Sequence, residues 1–339
     1  MVIIENSSPK RTLNLRLATV TLGAIVVIAA VLIGVSLTSS SPLPVLRASY
    51  QCVPGALIPQ LKPGQSGTMT ASYGAFTATF RATKPRSTSA TPQLAGMPFK
   101  GTLTMSEGGQ SWTLPPAANP NVAQVNALCV IAFQREQHPG VMIEGFSGGA
   151  HCCEAPVVYV FNVQENRYVK VVDLSPNHLK DSYVFNANEG LVPMVAGSQV
   201  LLTTGDDSFS YAFGCYACSE TPLVLYAVDP DGLFDVSSKH PTLIAAHARS
   251  LLKSALAAVK DETATTQSFP APFGFLAPWV ADECEIGRGA SAFSEVEELA
   301  HEGKLSNSLY YQATTKRSGS FVLDLRSFLL SDGYCTGQI

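Results

Sequence analysis

Gly145-Phe146-Ser147-Gly148-Gly149 has the G-x-S-x-G spacing of a nucleophile elbow, where a serine sits on a sharp turn between a strand and a helix. It follows Val141 to Glu144, an apolar stretch of strand type, as that turn requires. Asp206 or Asp229, and then His240, would complete the chain order serine, acid, histidine of a hydrolase. An elbow must also open a helix. Here Ala150-His151-Cys152-Cys153-Glu154-Ala155 runs into Pro156 and Val-Val-Tyr-Val-Phe, a strand composition. The pentapeptide is therefore expected to be a turn that uses the steric freedom of glycine, with Ser147 and His240 as the catalytic alternative.

His151, Cys152 and Cys153, taken with Cys215 and Cys218, hold enough thiolates and imidazole for a tetrahedral zinc site. Thiolate ligation competes with disulfide formation, so the metal is the alternative here too. A redox role for Cys215-x-x-Cys218 would want the pair at a helix N-terminus, whereas these cysteines lie between apparent strands. Asp206-Asp207-Ser208 and Asp229-x-Asp231-Gly232 offer oxygens to calcium. The second lacks the remaining ligands of an EF-hand loop, and Asp-Pro-Asp-Gly reads more simply as a type I turn. His138, His178, His247 and His301 show no ligand spacing, and Glu295, Glu297 and Glu298 read as a solvated helix face. No metal and no cofactor is expected.

The elements that position these residues begin with an uncharged stretch. Leu17 to Leu37 is 21 residues long, and as a helix it spans about 30 Å, the thickness of a bilayer's hydrocarbon core. Lys10, Arg11 and Arg16 precede it and no further positive residue comes before Arg47, which places residues 1–16 in the cytoplasm and the rest outside. A cleaved signal peptide is the competing reading, but its apolar region is normally shorter. The expected organisation is a membrane helix over 17–37, a linker over 38–46, a β-rich domain over 47–240 and a helical region over 241–339.

All eight cysteines (52, 129, 152, 153, 215, 218, 284 and 335) follow the apolar stretch, and an even count in an oxidising compartment argues for disulfides. Proximity suggests Cys52 with Cys129, Cys215 with Cys218, and Cys284 with Cys335. Cys152 and Cys153 would then form a vicinal bond or reach into the Cys215 loop. The chain carries 22 basic against 26 acidic residues, a net charge of −4, with 46% hydrophobic residues. That composition excludes a wholly disordered chain, and the lack of a basic block beyond residue 16 excludes a nucleic-acid partner held by phosphate contacts.

Phe76, Ala78, Phe80 and Ala82 alternate with Thr77, Thr79, Arg81 and Thr83, the period of a half-buried strand. Thr102 to Met105 and Ser111 to Leu114 flank Gly108-Gly109, which suits a tight hairpin. A weak repeat follows: Val141 to Glu144, Pro156 to Asn162 and Tyr168 to Asp173, then Val200 to Thr204, Pro222 to Val228 and Leu233 to Val236. Each unit reads as an antiparallel meander of three or four strands, in a sandwich or partial propeller. After Pro241, Ile244, Ala248, Leu252, Leu256 and Val259 recur at helical spacing, and shorter helices are expected near 275–286, 290–303 and 319–331. The fold class is α+β, with a helical cap on a β-rich domain.

Gly148-Gly149-Ala150-His151-Cys152-Cys153 resembles a turn found in a group of uncharacterised bacterial envelope proteins with degenerate β-repeats. Asp207 to Phe213, Phe234 to Leu243 and Trp279 to Phe293 are similar as well, and the likeness fades toward Leu325 to Tyr334. It covers roughly residues 141–335, and the Cys215-x-x-Cys218 pair departs from it. The resemblance implies export and architecture and transfers no catalytic residue. Two functions follow. The leading expectation is a membrane-anchored cell-envelope binding or scaffold protein, held in the lipid bilayer by residues 17–37, with an envelope protein or glycan as partner. The alternative is an exported hydrolase using Ser147 or a metal near His151.

Overall fold

The computed structural model describes residues 49–55, 61–62, 64–84, 100–114, 124–133, 138–146, 156–173, 191–214, 218–260, 272–305 and 319–339. The chain divides into Met1–Val45 and Leu46–Ile339. The expected membrane helix over 17–37 and the linker over 38–46 lie outside the described residues. Among the described residues no helix is long and apolar enough to cross a membrane.

Among the described residues three antiparallel sheets are followed by four α-helices. The first sheet is a simple meander of β2 (Ser66–Tyr73), β3 (Phe76–Thr83), β4 (Lys100–Glu107) and β5 (Gln110–Leu114). The second is β6 (Gln124–Ala132), β7 (Gly140–Phe146), β8 (Val157–Asn162) and β9 (Arg167–Asp173), with β1 (Ser49–Pro54) added outside β6. The third is β10 (Val192–Ala196), β11 (Gln199–Gly205), β12 (Leu223–Asp229) and β13 (Gly232–Asp235). The helices are α1 (Pro241–Lys260), α2 (Phe273–Glu285), α3 (Gly289–His301) and α4 (Phe321–Ser331). The structure is thus an antiparallel β-rich domain with helices, the α+β class.

The sheets stack face to face. Phe76, Phe80 and Leu103 of the first sheet meet Leu128, Val141 and Phe161 of the second in one core. Ile131, Val158 and Val160, on the opposite face of the second, meet Leu202, Val224 and Tyr226 of the third in another. This explains why β8 reads as an almost continuous apolar run: a strand covered on both faces has no solvated side. The far face of the third sheet, through Leu201 and Leu225, packs on Ile244 of α1. The helices then build their own core around Phe273, Trp279, Val280, Phe293 and Leu325, joined by Phe209 and Phe213 from the β11–β12 connection.

The repeat expected over 141–236 is present, with two additions. Each meander has a first strand, β6 or β10, that the pattern left out, and a third such unit precedes them as β2 to β5. Its first strand, SGTMTASY, escapes a hydrophobicity reading because only Met69 and Ala71 are buried in it. The three units among the described residues are fewer than the four or more blades of a closed propeller.

Two disulfides lie among the described residues. Cys52 and Cys129 are register partners across β1 and β6, and Cys284 at the end of α2 bonds to Cys335 in the C-terminal segment. Both pairs are those that proximity suggested.

Candidate functional site

The seam between the third sheet and the helices holds a set of buried polar contacts, and α2 organises it. Pro278 sits inside this helix and has no N–H for the carbonyl of Gly274, four residues before it. The freed carbonyl accepts instead from the Glu220 N–H at 3.0 Å, which seats the β11–β12 connection on the first turn of α2. Gly274 itself is required there, because a Cβ would lie 2.0 Å from the carbonyl oxygen of Cys218. A proline and a glycine four residues apart thus dock the cysteine-bearing loop.

Asp282 lies one turn beyond Pro278, buried in a helix that is otherwise apolar over most of its surface. One carboxylate oxygen accepts from the Leu223 N–H at 3.0 Å, and the other is 2.7 Å from His247 Nδ1 on α1. Burial pushes the Asp282 carboxyl above the usual aspartate range, and the hydrogen bond and charge of His247 oppose that shift without cancelling it. Nearby, the Tyr334 hydroxyl donates to Asp206 Oδ2 at 2.6 Å, while Asp206 Oδ1 accepts from the Ser208 N–H. Burial and the adjoining Asp206 carboxylate hold the Tyr334 phenol far above its ordinary range, so it stays a donor. Glu285 is raised as well, first by burial and then by Asp235 and Asp282.

An aspartate that orients an imidazole is the acid–base half of a hydrolytic relay. The same pair also has a purely structural effect, since it ties α1, α2 and β12 together at a buried point. On sequence His247 shows no ligand spacing and reads as a surface or helix residue, and Asp282 is not singled out. The available signal was a carboxylate in the middle of FGFLAPWVADEC, a stretch that otherwise demands burial.

A second polar seam lies between the first and second sheets. His138 Nδ1 contacts Glu107 Oε2, and the imidazole packs edge-on against Phe161 with ring centroids 4.4 Å apart and beside Trp112 at 5.1 Å. Tyr168, in the same aromatic group, donates its hydroxyl to the Pro139 carbonyl. This places the lone histidine of the β6–β7 connection in an aromatic clasp rather than on open surface.

The other sequence candidates separate. Ser147, His151, Cys152, Cys153, Cys215 and His178 lie outside the described residues. Cys218 is disulfide-bonded. His240 follows a short 3-10 turn, and its backbone N–H donates to the Ser237 carbonyl. Asp229 accepts from the Asp231 N–H within the β12–β13 turn, and Asp206 is committed to Ser208 and Tyr334. Among the described residues no hydrogen bond or ion pair joins the His240 ring to either carboxylate. None of these residues forms a group of three or more His, Cys, Asp or Glu ligands in the described part. Asp207–Phe213 and Leu325–Tyr334 meet where Phe209 packs on Phe328 and Tyr334.

The chain is similar to a probable thylakoid lumen protein of Synechocystis sp. (strain ATCC 27184 / PCC 6803 / Kazusa), 24% identical over 343 residues that take in 89% of this chain and 94% of the relative. No protein-family model matches the chain. No solved structure matches it. The disulfides and the lumenal relative together point to an extracytoplasmic domain.

Proposed function

We propose that this chain is a membrane-anchored extracytoplasmic binding or scaffold protein, held in the bilayer by residues 17–37 with residues 1–16 in the cytoplasm. The observation that carries the reading is the pair of disulfides, Cys52–Cys129 and Cys284–Cys335, one in the sheets and one in the helices. Such bonds persist in oxidising compartments and are removed by cytosolic thiols. The relative's printed name, with a match running along nearly its whole length, supports the same side of a membrane. The 21-residue uncharged stretch supports the anchor, and the positive residues before it support the orientation. The partner is an envelope protein or glycan, and the bilayer itself through residues 17–37.

Protease added to intact spheroplasts is expected to degrade the large domain and leave a small protected N-terminal fragment. Full protection of the large domain overturns the orientation. A mature chain beginning near residue 38 replaces the anchor with a cleaved signal. Labelling of Ser147 by a fluorophosphonate probe replaces the scaffold with the hydrolase.

A further inference from the structure

The far face of the first sheet is written almost entirely in hydroxyls. Register places Thr70, Thr79, Thr104 and Thr113 in one row across all four strands. In the neighbouring row Thr68 and Thr102 flank Arg81. The opposite face of the same strands is the buried one, so these side chains point away from the stack. Several hydroxyls pair across strands, as Ser66 with Thr83 at 2.8 Å and Thr70 with Thr79 at 3.3 Å. Each hydroxyl has one proton and two lone pairs, so one such pairing leaves capacity for a ligand.

Charge is distributed unevenly in the same sense. Residues 46–123 contain six basic residues and a single acid, Glu107, a net charge of +5. That acid is turned to His138 in the seam behind the sheet. Residues 124–339 hold 13 basic and 24 acidic residues, a net charge of −11. Arg81 stands exposed near the middle of the hydroxyl face, and among the described residues it has no hydrogen-bonding or ionic partner.

We propose that this face binds a carboxylate-bearing polysaccharide, with Arg81 meeting the carboxylate and the flanking threonines meeting sugar hydroxyls. The inference deepens the envelope-binding reading above and rests on it. An arginine guanidinium matches a carboxylate with two parallel hydrogen bonds. Among the described residues the face presents no large apolar side chain, neither an aromatic anchor of a protein hot spot nor the wedge that an interfacial membrane contact buries. Individual hydroxyl contacts are weak. A polymer offers many of them in sequence, and repeated engagement is what raises such binding to a useful strength.

The test uses the detergent-solubilised full chain on immobilised polygalacturonate, with immobilised neutral dextran as control. Retention on polygalacturonate and not on dextran is expected, weakening as salt rises from about 50 to 200 mM because exposed charges are screened. Arg81→Glu is expected to raise the dissociation constant at least about tenfold, and Arg81→Gln about threefold, with thermal unfolding of both variants unchanged. Equal retention on dextran, no retention on polygalacturonate, or indifference to Arg81→Glu overturns the proposal. Elution by micelles doped with phosphatidylglycerol, with none by galacturonate oligomers, also overturns it and assigns the face to lipid headgroups. Spheroplast proteolysis reads the underlying topology separately: an external domain that ignores polygalacturonate sinks only this inference, whereas an internal domain sinks the reading beneath it.

Discussion

The two ends of the sheet stack solve one problem in opposite ways. At one end, Leu201 and Leu225 of the third sheet are fully buried against Ile244 of α1. At the other, the outward positions of the first sheet are Thr70, Thr79 and Thr104 with Arg81 among them. A stack of sheets has two terminal faces, and each must be either covered or made polar to stop further association. This chain covers one with helices and leaves the other hydroxylated and basic. The covered end needs buried polar contacts to fix the helices in place. The bare end needs none, and is therefore free to be a surface of use.

The largest expected effect lies at the covered end. Asp282→Ala removes the acceptor for the Leu223 N–H and the hydrogen-bond partner of His247 Nδ1, leaving both without it in a buried seam. Breaking a buried pair in this way costs about 3 to 5 kcal/mol, to be read from denaturant unfolding. A loss below about 1 kcal/mol would show that the seam does not hold the helices. Leu225→Ala should follow at about 2 to 5 kcal/mol, since it opens a cavity between the third sheet and α1.

Acid dependence sharpens the same contrast. The Asp282 carboxyl is raised by burial, so between its unfolded and folded values the native state binds more protons than the unfolded chain. Its contribution to stability is then fully present below the ordinary aspartate value and is lost as pH rises through the raised one. In Asp282→Asn the fall in thermal midpoint as pH rises above the ordinary aspartate value is expected to be shallower than in the parent chain. Identical slopes would show that Asp282 does not set the pH dependence of stability. The smallest effect belongs to the bare end: Thr79→Val should leave stability within about 0.5 kcal/mol, because the side chain faces away from the core and loses only its pairing with Thr70.

The strands that pack on one side were legible wherever large residues marked the period, as at Phe76 and Phe80 of β3. β2 was not, since its buried positions are Met69 and Ala71 and its polar ones outnumber them. The helices were legible within a residue or two, because Ile244, Ala248, Leu252, Leu256 and Val259 recur at helical spacing in α1, although the buried positions after Ala248 are Leu251 and Ala255 and the other three are only partly buried. The disulfide pairs Cys52–Cys129 and Cys284–Cys335 were suggested by nearness along the chain, and each joins segments that the fold does place side by side. The polar seam was not legible. His247 and Asp282 are 35 residues apart, and nothing local says that α1 and α2 bring them within 2.7 Å. The same holds for Tyr334 and Asp206, whose separation of 128 residues is closed by tertiary packing that includes Phe209 on Phe328 and Tyr334. The docking of the cysteine-bearing loop required Gly274 and Pro278 to be read together with Cys218 and Glu220, a relation between two distant segments.

Maturation in an oxidising compartment requires that the second sheet and the helical region each be closed by a disulfide. Thiol alkylation of the full chain under denaturing conditions, first without and then with reductant, followed by peptide mapping, addresses it directly. The prediction is that Cys52, Cys129, Cys284 and Cys335 are unlabelled before reduction and fully labelled after it, with linked peptides pairing Cys52 to Cys129 and Cys284 to Cys335. Stoichiometric labelling of these four cysteines in the unreduced chain, isolated from its native cells, would contradict it.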